Sequence, residues 1–259
     1  MSAVRHWFVP CEGDAIALSL HPAEGDTGVL IVPGGVQTRF GAHRGFRAIG
    51  TLLAAAGYPV LRFDRRGVGD SAGLDPGFRG SAPDITAALA AFRTAQPHLR
   101  AIVGLGLCDG AAALLLAHDL AFDGYILLNP WTPEAEDSTR AAADHYRRRA
   151  ASPRALSRVL RGEFTMGQLL ERARAMVQPA PQAVSAETQA LLAQLRAVAG
   201  RTAVVLSDKD WTARAFESVL PKLPDLTLLR VPVADHSFGL EGNEDALLRC
   251  ILGWLQARE

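Results

Sequence analysis

Cys108 stands between two glycines in Gly106-Leu107-Cys108-Asp109-Gly110, after the apolar run Ala101–Leu105 and before Ala111-Ala112-Ala113-Leu114-Leu115-Leu116. Strand, sharp turn and helix form the setting in which G-x-S-x-G makes a nucleophile elbow, here with sulfur in place of the hydroxyl. So tight a turn forces the central residue into strained backbone angles, and a Cβ at either flanking glycine would strike the neighbouring strand or helix. The sulfur then sits at the N-terminus of the following helix, whose partial positive charge favours thiolate over thiol. The plain alternative is a buried structural cysteine in a glycine-rich turn, since free Cys is often buried.

A nucleophilic thiol needs a base within hydrogen-bond reach and an acid to fix that base. Two carboxylates, Asp208 and Asp210, follow the apolar run Thr202–Leu206. Asp210 is the expected acid, because it lies beyond the strand end and just before the next helix. Asp208 is the fallback and reads as a turn or cap residue. The expected base is His236, the one histidine of the segment Pro232–Gly239. Of the seven histidines, His118 lies in the helix after the elbow, and His6, His21, His98 and His145 fall outside strand-end loops, so only His43 competes.

The tetrahedral intermediate of such chemistry needs two amide donors. One is expected to be the N–H of Asp109. The other is expected from Pro33-Gly34-Gly35-Val36-Gln37, at Gly35 or Val36. The same loop carries Arg39, His43 and Arg44, which could bind a carboxylate or phosphate of the substrate; the alternative is the solvated first turn of a helix. Trp131 and Trp211 complete the expected substrate contacts. Asp64 and Arg66 are expected to pair and brace the loop below the site. The cationic face of Arg147, Arg148, Arg149, Arg154, Arg158 and Arg161 reads as solvated surface, with a docking patch for an acidic carrier protein as the minority reading. No His-Glu-x-x-His run, cysteine pair or dinucleotide G-x-G-x-x-G pattern occurs, so neither metal nor cofactor is expected.

The elements that must position these residues alternate. Arg5–Pro10 and Ala15–His21 predict an antiparallel hairpin across Glu12-Gly13-Asp14. Gly28–Val32, Tyr58–Phe63, the elbow strand and Gly124–Leu128 read as buried strands. Helices are predicted over Phe46–Ala56, from an N-cap at Ser81 to about Ala95, and from the elbow to Leu120. From Asn129 to about Gly200 the alternation stops, and polar, Arg-rich helical pieces follow near 141–150, 153–161, 166–177 and 186–199. It resumes with Thr202–Leu206, a helix over Thr212–Leu220, the strand Leu226–Val231 and a closing helix Glu244–Gln256. The expected architecture is α/β: a mostly parallel, doubly wound sheet of about eight strands over 1–130 and 200–259, with an all-helical lid over 131–199.

The chain has 259 residues, 49% of them apolar, enough for one large α/β core. Lys+Arg and Asp+Glu balance at 27 each, which speaks against nucleic-acid or membrane-surface binding through bulk charge. Cys11, Cys108 and Cys250 are far apart and predict no disulfide frame. The first residues lack the apolar core of a signal peptide, and no run reaches membrane-spanning length, so a cytoplasmic protein is expected.

Together these residues resemble the α/β-hydrolase superfamily, in which nucleophile, acid and base follow in that chain order. More narrowly, the chain resembles the exosortase A system-associated hydrolases of the first type. The likeness rests on Pro10-Cys11-Glu12-Gly13, Gly34-Gly35 with Arg39, His43 and Arg44, Leu61–Gly67, Gly106–Asp109, Leu128-Asn129-Pro130-Trp131, Asp210 with Thr212-Ala213, and Ala234–Phe238. The segment 179–199 is short against that pattern. The resemblance implies an acyl-directed hydrolase with a small-molecule or carrier-bound acyl substrate. Sulfur at the elbow adds acyl transfer from a thioester donor, coenzyme A or a carrier protein, to an amine or alcohol as an alternative. A non-catalytic scaffold with the same fold is the third reading.

Overall fold

The computed structural model describes residues 3–117, 119–120, 122–135 and 184–258. The expected lid helices near 141–177, the arginines from Arg147 to Arg161, and His118 and His145 lie outside those residues. Eight strands form one sheet: β1 (Arg5–Cys11), β2 (Asp14–His21), β3 (Thr27–Val32), β4 (Val60–Phe63), β5 (Ala101–Leu107), β6 (Gly124–Leu128), β7 (Thr202–Ser207) and β8 (Thr227–Val231). Their order is β1-β2-β4-β3-β5-β6-β7-β8, with β1, β2 and β4 paired antiparallel and every other neighbour parallel. The hairpin register pairs Cys11 with Asp14 across Glu12 and Gly13, both at positive φ, as a two-residue turn on twisted strands requires.

Six helices are described: α1 (Gly45–Ala55), α2 (Ala82–Ala95), α3 (Asp109–Leu116), α4 (Ala186–Val198), α5 (Trp211–Val219) and α6 (Asn243–Gln256). They cover both faces of the sheet. Side chains of β3 alternate accordingly: Leu30 and Val32 join Ile85, Leu89 and Phe92 of α2 in one core, while Val29 and Ile31 join Phe46, Ile49 and Leu53 of α1 in the other. Alternation between two apolar layers explains why the central strands read as unbroken hydrophobic runs rather than amphipathic ones. Helix α6 adds Leu247, Ile251 and Trp254 to the second core.

Three local details depart from the sequence expectation. Helix α3 stops at Leu116, with the Ala117 N–H still reaching Ala113, instead of running to Leu120. Ser81 does not cap α2 through its side chain; its hydroxyl donates to the Phe78 carbonyl at 2.7 Å. Helix α4, expected within the lid, places Leu191, Leu192 and Leu195 in the same core as α2 and α3. Just before it, Glu134 accepts from the Ser185 amide at 3.0 Å and from the Thr188 hydroxyl, so one side chain joins the segment after β6 to the start of α4. Among the described residues no helix is long and apolar enough to cross a membrane.

Candidate active site

The end of β5 turns into α3 at Cys108, whose φ of 59° and ψ of −123° are strained for a residue with a side chain. The flanking glycines permit it. A Cβ on Gly106 would lie 2.6 Å from the Ala111 nitrogen, and one on Gly110 would lie 2.5 Å from the Val32 carbonyl oxygen. Cys108 is pinned by its N–H to the Leu128 carbonyl at 2.9 Å, and its own carbonyl accepts from Trp131 at 3.1 Å. The thiol is half-buried at the carboxyl edge of the sheet.

Asp210 and His236 arrive there from separate strand ends. Asp210 is the N-cap of α5 and accepts from the Thr212 amide at 3.3 Å and the Ala213 amide at 3.0 Å. The positive end of the helix thus holds a carboxylate that is only 6% exposed. Its Oδ2 lies 2.9 Å from His236 Nδ1, which leaves the other ring nitrogen for the thiol. The hydrogen bond to Asp210, followed by the one to Cys108, pushes the half-buried imidazole up to about 10 from an ordinary 6.5, against the opposing effect of burial. His236 is therefore an imidazolium at neutral pH. Asp208 stays exposed, 3.8 Å from Arg230, and among the described residues His43 pairs with no carboxylate.

Asn129 is a residue that sequence reasoning passed over. Fully buried at φ 41°, it donates from Nδ2 to Ser207 Oγ at 2.9 Å and to the His236 carbonyl at 3.0 Å, and accepts the Ser207 amide at 2.9 Å. One amide side chain thus ties the ends of β6 and β7 to the loop carrying the base. The signal was an Asn directly between an apolar strand and a proline. The Lys209 amide donates to Ala234 at 3.1 Å, and Asp235 accepts the Gly239 amide at 2.9 Å, closing the same loop.

The expected oxyanion donors are only partly free. Asp109 opens α3, so its N–H has no partner within the helix. The Gly35 N–H does not fit the expectation: it donates to Asp109 Oδ1, because the Gly34-Gly35 turn passes directly over that carboxylate. Val36 lies one residue further on, 82% exposed.

Expected substrate contacts also divide. Arg39 is corrected to a structural role. Its guanidinium is buried and holds Asp64, Asp70 at 2.6 Å and Ser19 Oγ at 2.9 Å. The expected Asp64–Arg66 pair does not form either, since Asp64 faces Arg39 and Arg66 reaches the buried Asp84 at 3.0 Å. Trp131 is 8% exposed and packs edge-on against Phe78 at 5.0 Å, within the core beside the elbow. Trp211 stays half-exposed at the start of α5, with the Arg214 guanidinium 5.1 Å from its ring centre. His43 and Arg44 are exposed at φ 52° and 64°, and the His43 ring lies over Gly239 beside the base loop. Among the described residues no group of three or more His, Cys, Asp or Glu could hold a metal ion.

A model described as the alpha/beta hydrolase family matches residues 29–249. Among curated proteins no sequence matches the chain. Solved structures with a similar fold include an alpha/beta hydrolase from Penicillium sp. sh18, 18% identical, covering 99% of each chain at a TM-score of 0.64. An esterase of Pyrococcus furiosus is 16% identical over 98% of this chain and 92% of its own, with a TM-score of 0.63. A thermophilic esterase from Thermogutta terrifontis is 20% identical over 98% of each chain, with a TM-score of 0.61.

Proposed function

This chain belongs to the alpha/beta hydrolase family, and on that premise we propose that it cleaves an acyl ester or acyl thioester through Cys108, His236 and Asp210. The observation that carries the reading is the 2.9 Å Asp210–His236 contact, with the same ring hydrogen-bonded to the thiol of a strained elbow. A cation beside a cysteine favours thiolate over thiol, the form that attacks. The sulfur adds to the carbonyl carbon, and the oxyanion rests on the N–H groups of Asp109 and Val36. Collapse breaks the bond to the leaving alkoxide or thiolate, which takes its proton from His236. The neutral imidazole then accepts a proton from water as the hydroxide adds to the acyl-thioester. The second collapse frees the carboxylic acid and restores the thiolate–imidazolium pair. Asp210 orients the ring.

The esterases among the structural neighbours fit this reading. The likeness to exosortase-associated hydrolases leaves the acyl group open. Transfer to an amine or alcohol is a second reading, favoured by sulfur at position 108, because a thioester passes its acyl group to amines more readily than an oxyester does. A scaffold would not need the elbow, the acid and the base together.

The test is intact-mass analysis after mixing with an acyl thioester, with and without an amine acceptor, beside iodoacetamide mapping. One acyl group on Cys108, lost in His236→Ala, supports the mechanism. Cys11 and Cys250 should alkylate more slowly, since burial raises both thiols above their ordinary range. Equal labelling of all three cysteines with no acyl adduct rejects the mechanism, and free acid as the sole product whatever the acceptor rejects transfer.

A further inference from the structure

Arg65 follows β4 and is 2% exposed, an unusual place for a guanidinium. Among the described residues its one close acceptor is the carbonyl of Gly35, reached by Nη2; the same nitrogen lies 3.4 Å from Asp75. Nε and Nη1 are buried without a hydrogen-bond partner. Unmade donors on a buried cation are costly, so packing alone accounts poorly for the residue. What it holds is informative. Gly35, at φ 53°, is gripped at both polar atoms, its N–H by Asp109 and its carbonyl by Arg65. The turn is closed by the Gln37 N–H on the Gly34 carbonyl at 3.1 Å.

In a trans peptide the C=O and the following N–H point to opposite sides, and the chain has no cis bond among the described residues. With the Gly35 carbonyl turned to Arg65, the Val36 N–H turns to the opposite side of that peptide. Given the acyl chemistry proposed above, we propose that Arg65 is a positioning residue that sets the oxyanion hole: it fixes the Gly35–Val36 peptide so that the Val36 N–H, and not that of Gly35, is the second donor.

Three variants test this: Arg65→Met, Arg65→Lys and Val36→Pro. The last deletes the donor N–H at a residue whose side chain is 82% exposed. With p-nitrophenyl acetate, Val36→Pro and Arg65→Met are each expected to lower kcat about 10²-fold with KM within about 2-fold, the size of losing one oxyanion donor. The double variant should be no worse than the poorer single, because both act through one N–H. Arg65→Lys should recover part of the loss. Alkylation of Cys108 by iodoacetamide builds no oxyanion and is expected to keep its wild-type rate in all of them. Wild-type kcat in Val36→Pro, multiplying losses in the double variant, or alkylation falling in step with kcat overturns the proposal, even if Arg65→Met does not fold. Acylation absent from the wild type while Cys108 still alkylates would instead sink the hydrolase reading, and this proposal with it.

Discussion

Replacing Asp210 with Asn changes one atom and isolates its charge. The carboxylate does two things: it caps α5 and it is the foremost cause of the His236 shift from 6.5 to about 10. Asn caps helices about as well as Asp, so the loss of the cap itself should cost under about 1 kcal/mol. The imidazolium has more to lose. An opposite charge in contact shifts a pKa by about 1–3 units, and the side chain of His236 is 37% exposed, so solvent screens part of the effect. A drop of about 2 units is expected. At pH 9 the charged fraction of His236 would then fall from about 0.9 to about 0.1. The assay is NMR titration of nitrogen-labelled histidine between pH 5 and 11, with acyl transfer from p-nitrophenyl acetate measured alongside. Because the folded value lies above the unfolded one, the stabilisation is complete below pH 6.5 and is lost as pH rises through about 10. The variant should lack most of that alkaline loss. An unchanged His236 titration in Asp210→Asn would refute the reasoning, whatever happened to the activity.

The remaining expectations concern the scaffold beside the site. His21 is 3% exposed and accepts from Arg62 Nε and Nη2 at 3.1 and 2.8 Å. Burial, then the Arg62 charge, lowers it from 6.5 to about 4. Its folded value lies below the unfolded one, so stability is full above pH 6.5 and is lost as pH falls through about 4; roughly 3 kcal/mol is at stake, read by urea unfolding. His21→Gln, which keeps an acceptor but does not titrate, should flatten that profile; equal slopes would contradict it. Arg39→Met should destabilise by about 3 kcal/mol, because it leaves the buried Asp64 unpaired, while KM stays within about 2-fold since the side chain serves the fold. A KM rise without loss of stability would return Arg39 to the substrate.

The strands were legible because both faces of a parallel sheet are buried, and Val29 to Val32 shows that as an uninterrupted apolar run. The elbow was legible because backbone crowding at Gly106 and Gly110 admits no side chain, a constraint local enough to leave a five-residue trace. Asp210 and His236, both placed after strand ends in the sequence, come into contact at 2.9 Å. Partner choice among charges was not legible. Asp64 selects Arg39, 25 residues before it, over Arg66, two residues after it, since the strand order β4-β3 brings the loop after β3 across the end of β4. Such pairings follow from topology, and spacing carries no record of them. Gly35 illustrates the same limit: its freedom to turn was readable, while the side chains that seize its two polar atoms come from the loop after β4 and from α3.

The clasp of Glu134 on Ser185 and Thr188 has a consequence for how such a molecule diversifies. Where a long excursion begins and ends at one knot, the entropy of joining its ends is met by the knot, and the cost of a longer excursion grows only with the logarithm of its length. Whatever is grafted between Ala135 and Val184 can change in length or composition while the strand ends that carry sulfur, imidazole and carboxylate keep their spacing. The strand ends and the stretch of chain joined by the clasp thus answer to different constraints on length.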